Sequence, residues 1–321
     1  MFICPECGNT MLLPECSRCG FVFGQSNNIW QLSDMPDIVT NGEGDQYIGY
    51  EHIGEHYSNG RKYTTEEKDY LAAKEIAQLT QDGVFLDLAC GDGCFTIPCA
   101  SFGTKIIAGD ISNKMLMILQ ERAASNHISL SNVTLCRMNA LALPLLDDSI
   151  DCATANSMLH LVSNPEKVLR EIYRTLKKGA AFVCFDDTPG KTASGKYDNT
   201  EYQQIVNALY SEYWAALAKK GIKPQKYSWK FDRDSFCMKL FSKKEVKQIE
   251  RGSVYEISLK EGFLHRFSAR GFSDQVDVPE DIHADIINKL LHEYALRYGS
   301  GFTDITFKGI EENLAIITYI K

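Results

Sequence analysis

Short apolar runs alternate with amphipathic stretches between residues 64 and 187. The runs have the length and composition of buried strands, and the stretches between them repeat apolar residues with the period of a helix. This alternation predicts an α/β fold, in which helices cover both faces of a mostly parallel sheet. The predicted strands lie at residues 84–88, 105–110, 133–138, 150–155 and 180–185.

Capping signals indicate where the helices begin. Thr64 and Glu67 form a capping box ahead of an apolar stripe, which predicts a helix before the first of these strands. Ser112 is a favourable N-cap after the second strand. Asn164 precedes Pro165, and proline is favoured at the first helical position. These signals agree with the strand–helix alternation.

After residue 187 the simple alternation ends. Aromatic and basic side chains are interleaved here, and we expect residues 188–262 to form an inserted cap that binds a planar or anionic acceptor. The aromatic residues of its helix could equally form a small core of their own. The predicted elements are helices at 201–220, from Ser242 and at 279–298, and strands at 254–259 and 263–267.

The first strand turns abruptly into Cys90-Gly91-Asp92-Gly93. Glycines permit a tight turn in which the backbone approaches a ligand closely. Asp110 ends the next strand about twenty residues further on, where a carboxylate can accept both hydroxyls of a ribose. Thr96 occupies the position where a dinucleotide-binding turn has a small residue, so the pattern disfavours a nicotinamide cofactor.

These motifs, in this order, resemble those of the class I S-adenosylmethionine (SAM)-dependent methyltransferases, over roughly residues 81–187. The resemblance implies a doubly wound, Rossmann-like sheet of seven strands, closed by an antiparallel hairpin at 303–307 and 314–320. It also implies that Asp110 holds the ribose and that Asn139, where the family commonly has Asp, meets the adenine. The implied cofactor-binding residues are Asp87, Ala89, Gly91, Gly93, Asp110, Ile111, Asn139, Ala140 and Asn156.

The end of the fourth strand borders the transferred methyl group in this family. His160 lies just beyond that strand and is a candidate general base, with a purely structural role as the alternative. Methyl transfer requires mainly the alignment of nucleophile, methyl group and sulfur. The sequence therefore names no further catalytic residue.

Four cysteines form two Cys-x-x-Cys pairs, each followed by glycine: Cys4, Cys7, Cys16 and Cys19. Two such pairs supply a closed tetrahedral set of thiolates, which is typical of structural zinc. Tetrathiolate iron, a pair of redox dithiols and a disulfide-bridged loop are the alternatives. We expect a zinc ribbon at residues 1–25 with an architectural or recognition role. Loss of its metal is expected to unfold the ribbon and to leave SAM affinity largely intact.

The whole chain of 321 residues carries a net charge of −8, which argues against broad attraction to nucleic acid or to an anionic membrane. The distribution is uneven, because residues 188–262 contain fourteen Lys and Arg against nine Asp and Glu. No apolar run has the ~20 residues of a membrane span. The first residues lack the features of a signal peptide. A cytoplasmic location is therefore expected.

The expected organisation has five parts: a zinc ribbon (1–25), a linker or lid (26–63), a SAM-binding core (64–187), an inserted cap (188–262) and the rest of the sheet (263–321). Three functions compete. The first is methylation of a small molecule. The second is methylation of RNA, since the layout is similar to that of the rRNA guanine-N1 methyltransferases. The third is a SAM-fold protein that binds a partner without catalysis.

Overall fold

The computed structural model describes residues 2–33, 50, 68–187, 201–223, 230–249, 254–275, 277–310 and 314–321. Most of the predicted linker or lid lies outside this part of the chain. The predicted capping box of Thr64 and Glu67 lies outside it as well, although the helix that it was expected to begin is present from Lys68 onward.

The described residues contain the following elements. The strands are β1 (Phe2–Ile3), β2 (Thr10–Met11), β3 (Gln25–Ser26), β4 (Ile29–Gln31), β5 (Val84–Leu88), β6 (Lys105–Asp110), β7 (Val133–Arg137), β8 (Ile150–Thr154), β9 (Leu176–Asp187), β10 (Lys243–Ile249), β11 (Val254–Ser258), β12 (Thr306–Ile310) and β13 (Leu314–Ile320). The helices are α1 (Lys68–Thr80), α2 (Thr96–Ser101), α3 (Asn113–Ser125), α4 (Pro165–Thr175), α5 (Glu201–Lys219), α6 (Arg233–Leu240), α7 (His265–Ser268) and α8 (Glu280–Tyr298).

The central sheet has the strand order β10-β13-β9-β8-β5-β6-β7-β4-β3. The six strands β4 to β9 pair in parallel with one another. At the two ends of this parallel set, β13 pairs with β9, β10 with β13, and β3 with β4 in antiparallel fashion. The prediction of an α/β, mostly parallel, Rossmann-like sheet is confirmed. The predicted number of seven strands is wrong, because β3 and β4 extend the edge beside β7 and raise the number among the described residues to nine.

Helices cover both faces of this sheet, as the doubly wound arrangement requires. Neighbouring residues of β5 show how the strand serves two cores: Phe85 packs with α1, α2 and α3, whereas Leu86 packs with α4 and α6 on the other face. Such a strand has no polar face, which explains its continuous apolar sequence. Ser112 and Asn164 cap α3 and α4 as predicted, since their side chains accept the amides of Met115 and Lys167.

The predicted helix at Ser242 is wrong. The segment forms β10, an edge strand that pairs along its whole length with β13, with Val246 opposite Ile317. The Ser242 amide and hydroxyl both bond to the carbonyl oxygen of Ile320, at 2.8 and 2.9 Å. Pairing with a distant strand therefore outweighs the local capping signal. The lysines of β10 suit an exposed sheet edge, where charge discourages pairing with other chains.

Two further predictions near the C-terminus are wrong. Residues 303–307 and 314–320 do not form a hairpin, because β12 pairs with β11 in a separate ribbon and β13 pairs with β9 and β10. Residues 263–267 form a helical turn and not a strand. Phe263, Leu264 and Phe267 are all buried, and their spacing is that of a helix.

Three of the described helices after residue 200, α5, α7 and α8, share a third core of their own. Residues from α5 and α8, as well as α7, pack in one cluster that includes Leu209, Tyr213, Phe267 and Tyr294. Both long helices agree with their predicted bounds to within one residue. The sequence separates these elements between a cap and the rest of the sheet, but the structure brings them into one group around a common core. None of the described helices is long and apolar enough to cross a membrane.

Candidate active site

A hollow lies at the carboxyl ends of the parallel strands β5, β6, β7 and β8. Open α/β sheets bind their ligands at this edge. Its lining includes seven of the nine residues that the sequence predicts for the cofactor: Ala89, Gly91, Asp110, Ile111, Asn139, Ala140 and Asn156. Residues that sequence reasoning missed also line it, among them Met115, Met138, Met158 and Leu161. These additions make the wall predominantly apolar.

Asp110 is fixed at the rim of this hollow by two backbone amides. Its Oδ2 accepts the N–H of Gly91 at 2.9 Å, and its Oδ1 accepts the N–H of Ser112 at 2.9 Å. The first bond joins the end of β6 to the turn after β5, which keeps the two loops together. Each carboxylate oxygen can accept more than one hydrogen bond, so this geometry is compatible with a vicinal diol of a ribose.

The two glycines of the turn are needed for different reasons. Gly93 has φ of +86°, and a Cβ there would lie 2.7 Å from Leu119 Cγ, so it lets α3 pack directly on the turn. Gly91 has φ of +54° and more room, since its Cβ would meet only Met115 Cε at 3.4 Å. Gly91 lines the hollow, whereas Gly93 lies behind it. Gly93, one of the predicted cofactor residues, therefore allows α3 to pack and does not line the hollow.

Asp87 also lies behind the hollow and is only 2% exposed. Thr96 Oγ1 donates to Asp87 Oδ2 at 2.6 Å. Burial, together with the nearby Asp110 and Asp92, raises the pKa of the Asp87 carboxyl to about 7, against the hydrogen bonds from Thr96. Thr96, which is unusual at the third position of a dinucleotide-binding turn, thus supports the buried acid. Nothing in the sequence pattern indicated this pairing.

A second hollow adjoins the first at the end of β8. Asn156, Ser157 and Met158 line both. Ser157 has φ of +54°, a strained conformation for a residue with a side chain. The second hollow is otherwise lined by Ala155, Leu159, His160, Cys184, Phe185, Phe231 and Arg233. Phe231 and Arg233 belong to the aromatic and basic run noted in the sequence, which gave no means to select them from their neighbours.

His160 is half-buried in the wall of this second hollow. Burial lowers the pKa of its imidazole, and the Asp274 carboxylate opposes this effect. Asp274 is itself buried and accepts a hydrogen bond from the Tyr210 hydroxyl. A lowered pKa favours the neutral imidazole near pH 7, which is the form that can accept a proton. The influence of Asp274 could not be inferred from the sequence, because 114 positions separate the two residues.

The four N-terminal cysteines come together in one cluster, with all Sγ atoms within 4.8 Å of one another. Cys4 Sγ lies 3.5 Å from Cys19 Sγ, and Cys7 Sγ lies 3.7 Å from Cys16 Sγ. Zn–S bonds of about 2.3 Å in a tetrahedron place sulfur atoms roughly 3.8 Å apart, so the cluster has the right size for zinc.

The two Cys-x-x-Cys loops that hold this cluster have matching backbone geometry. Gly8 donates its N–H to the Cys4 carbonyl and Gly20 donates to the Cys16 carbonyl, each at 2.9 Å. Both glycines have positive φ, of +67° and +73°. The loops therefore fit a metal as a closed set of four thiolates, which leaves no coordination position for a substrate.

Residues 86–184 match a family model described as a methyltransferase domain. The match spans β5 to β9, including the strand ends that line the first hollow. Over these residues the chain is therefore similar to a methyltransferase domain.

Two kinds of curated relative are similar to this chain. The first, an uncharacterized chloroplastic methyltransferase (At2g41040) of Arabidopsis thaliana, is 24% identical over 213 residues, which are 57% of this chain and 60% of that protein. The second, a demethylmenaquinone methyltransferase of Listeria welshimeri, is 31% identical over 147 residues, which are 45% of this chain and 59% of that protein. The chain thus spans about 60% of the length of these relatives.

Solved structures give more distant similarities. The YcgJ protein of Bacillus subtilis has 18% identity and a TM-score of 0.43, with 79% of this chain and 97% of that chain covered. Phosphoethanolamine N-methyltransferase 2 of Haemonchus contortus, which was solved with S-adenosylhomocysteine, has 16% identity and a TM-score of 0.40, with 79% and 52% covered. Because both TM-scores are below 0.5, the fold assignment depends on the strand order given above.

Proposed function

We propose that this protein transfers a methyl group from SAM to a small-molecule acceptor. The observation that carries the proposal is the meeting of two hollows at the end of β8, where Asn156, Ser157 and Met158 line both. The first would hold SAM and the second the acceptor. The similarity to a demethylmenaquinone methyltransferase, whose name denotes a small-molecule acceptor, supports this assignment.

The first hollow offers suitable partners for the nucleoside part of SAM. Asp110 would accept the ribose hydroxyls, since its two oxygens are held in place by the Gly91 and Ser112 amides. Asn139 Oδ1 accepts the Leu141 N–H at 2.9 Å, which fixes this side chain. Its amide nitrogen is then a donor for an adenine ring nitrogen, and an Asp could not supply that donor. Ala89, Gly91, Ile111, Ala140 and Asn156 would complete the wall, with Asp87 and Gly93 behind it.

The second hollow would align the acceptor and take up its proton. When bound, SAM supplies a methyl group that its sulfonium activates for displacement. The rings of Phe185 and Phe231 would hold a planar group by stacking, and the Arg233 guanidinium would attract a negative one. His160, with its lowered pKa, would accept the proton that a hydroxyl or amine loses as it attacks the methyl carbon.

The N-terminal cluster would hold a structural zinc ion through Cys4, Cys7, Cys16 and Cys19. The sulfur separations support this assignment, and a tetrathiolate iron would fit them similarly. Metal analysis of the purified protein distinguishes the two ions. Zinc at one equivalent per chain is expected, and its loss from a Cys16→Ser variant would confirm the ligand set.

The proposed reaction is tested by binding and then by methyl transfer. Calorimetry with SAM and with S-adenosylhomocysteine should show one site per chain. A labelled-methyl assay on cell extract separated into RNA, protein and metabolites should then put the label in the metabolite fraction. Label in RNA would support methylation of RNA instead. If neither nucleoside binds, only a non-catalytic role of the fold is left.

A further inference from the structure

The cysteine-bearing segment is joined directly to the methyltransferase sheet. β4 pairs in parallel with β7, with Trp30 opposite Cys136 and Gln31 opposite Arg137. Ile3 donates its N–H to the Pro144 carbonyl at 3.0 Å. The ribbon and the sheet also share a core, because residues of both pack in one apolar cluster. That cluster includes Phe2, Cys4, Met11, Cys16 and Phe23 of the ribbon and Leu86, Met138 and Leu145 of the methyltransferase domain.

Arg137 connects this segment to the wall of the first hollow. Its Nη1 donates to the Ser33 carbonyl at 2.8 Å, and its Nε donates to the Ile111 carbonyl at 3.1 Å. The Arg137 carbonyl in turn accepts the Leu32 N–H at 2.9 Å. Ile111 lines the hollow on the loop after β6. One side chain therefore holds the N-terminal segment and this loop at a fixed separation.

Two neighbouring contacts reinforce the same connection. Gln31 Nε2 donates to Asn113 Oδ1 at 3.1 Å, so β4 also holds the first residue of α3. The residues that follow Arg137 in the chain, Met138, Asn139 and Ala140, line the hollow themselves. Both loops on the β6 and β7 side of the hollow are thus supported from the N-terminal segment.

We propose that Arg137 is a positioning residue that couples metal binding at the cysteines to SAM binding in the first hollow. The inference depends on the proposed function. The ribbon has little core of its own, so its fold depends on the metal as well as on its packing against the sheet. Without metal, β3 and β4 lose part of their support, and the ligand must supply more of the order of the loops at Ile111 and Asn139. This ordering reduces the affinity for SAM, contrary to the expectation from the sequence that loss of the metal leaves that affinity largely intact, and linkage makes the effect reciprocal.

The first experiment measures S-adenosylhomocysteine affinity of the full-length protein by calorimetry, in the zinc-loaded form and after removal of zinc with a chelator. Affinity should fall about tenfold on removal, within the usual range of coupling between two sites. Competition with a chromogenic zinc chelator should show the reciprocal effect, with zinc bound about tenfold more tightly when S-adenosylhomocysteine is present. Circular dichroism establishes that the zinc-free form keeps its fold.

The second experiment tests Arg137 itself with Arg137→Met, which keeps the length of the side chain and removes its donors. If Arg137 has a merely structural role, the substitution would lower stability and leave unchanged the tenfold ratio of S-adenosylhomocysteine affinities between the zinc-loaded and zinc-free forms. A coupling residue should bring that ratio close to one. Arg137→Lys, with one donor group, should retain part of it. Arg170→Met is the matched control, because Arg170 is an exposed arginine on α4 that contacts Glu166 and the ring of Phe236.

The outcomes separate the inference from the proposed function. If no form binds S-adenosylhomocysteine, the proposed function fails. If loaded and zinc-free wild type bind it equally, the coupling is disproved and the function stands. An unchanged ratio in Arg137→Met would disprove the role of that residue. Should this variant not fold, amide exchange of the wild type decides: zinc removal must speed exchange at Leu32 and Ser112, and equal rates would contradict the proposal.

Discussion

The hydroxyl of Thr96 donates a 2.6 Å hydrogen bond to the buried carboxyl of Asp87, and so connects the first turn of α2 to the central strand β5. Both residues are almost fully enclosed. Burial of a carboxylate lowers the free energy of unfolding unless hydrogen bonds stabilise the charge, so removal of a donor destabilises the folded protein. The pair therefore links the stability of the domain to the charge state of Asp87.

Thr96→Val removes this donor while keeping the shape of the side chain. We expect the free energy of unfolding to fall by about 1 kcal/mol at pH 5, where Asp87 is protonated, and by about 2 kcal/mol at pH 8, where it is charged. Urea denaturation at the two pH values measures the difference. Thr96→Ser, which retains the hydroxyl, should show no such pH dependence. An equal loss at both pH values would mean that the hydroxyl does not stabilise the charged form.

Asp87→Asn tests the raised pKa directly. The unfolded chain releases the Asp87 proton near pH 4, whereas the folded protein holds it until about pH 7. The stability that the protonated acid contributes is therefore fully present below pH 4. It falls as the pH rises from 4 to 7 and does not change further above pH 7. The asparagine variant lacks this dependence, so the stability of wild type relative to the variant should decline over that interval. A difference that stays constant from pH 4 to 7 would contradict the pKa assignment.

The two turn glycines should respond differently to alanine. Gly93→Ala places a Cβ against Leu119 at 2.7 Å in a left-handed conformation, and we expect a loss of about 3 kcal/mol. Gly91→Ala meets only an ordinary contact and should lose about 1 kcal/mol from its backbone conformation. Because Gly91 lines the hollow, Gly91→Ala should also weaken SAM binding, although its loss of stability is small. Thermal unfolding and calorimetry measure the two effects, and the reverse order of stabilities would refute this distinction.

Local sequence patterns were sufficient for the buried parallel strands, because a strand such as β5 is apolar on both faces and its composition alone identifies it. They failed where a distant partner decides the structure. Ser242 carries a good helix signal, yet pairing with β13 makes a strand of the residues that follow. The extra strands β3 and β4 were missed because their positions depend on β7, about a hundred residues further on.

The candidate site shows the same division. Asp110 and Gly91 follow from their places in a motif, and the structure brings them into direct contact. Thr96 acts through a contact with Asp87 on the strand before its helix, and Asp274 and Arg137 have roles that depend on contacts between segments far apart in the chain. No spacing rule contains those contacts, so their chemistry becomes visible only when the elements are packed together.

Asp110→Asn should weaken the binding of SAM and also lower stability, because one of the two oxygens that accept the Gly91 and Ser112 amides becomes a donor. The substitution keeps the size of the side chain, but it replaces one of two charged acceptors for the ribose hydroxyls. Hydrogen bonds to a charged group contribute roughly 1.5–3 kcal/mol each, so we expect affinity to fall about 10- to 100-fold in calorimetry. Asp151→Asn is the control, because Asp151 accepts the Val84 N–H at the amino ends of β5 and β8, away from the hollow. If both variants bind SAM as the wild type does, Asp110 is not the ribose ligand.

The charge state of His160 is set in part by a second residue, Asp274. Burial lowers the pKa of this imidazole, while the Asp274 carboxylate raises it and so limits the shift. Asp274→Asn removes the opposing charge with little change in size, and the pKa of His160 should therefore fall further. An NMR titration of the imidazole protons in the full-length protein measures this shift, with His160→Gln to assign the resonance. Asp148→Asn, at an exposed site, should leave the resonance in place.

The same change has a kinetic consequence if His160 accepts the proton of the acceptor. Methyl transfer by the wild type should then decline at acidic pH as the imidazole becomes protonated, and His160→Gln should reduce kcat about 100-fold. In Asp274→Asn the decline should move to lower pH, because a less basic imidazole stays neutral further into the acid range. A decline that does not move, together with a shifted NMR titration, would mean that His160 titrates as described but takes no part in proton transfer.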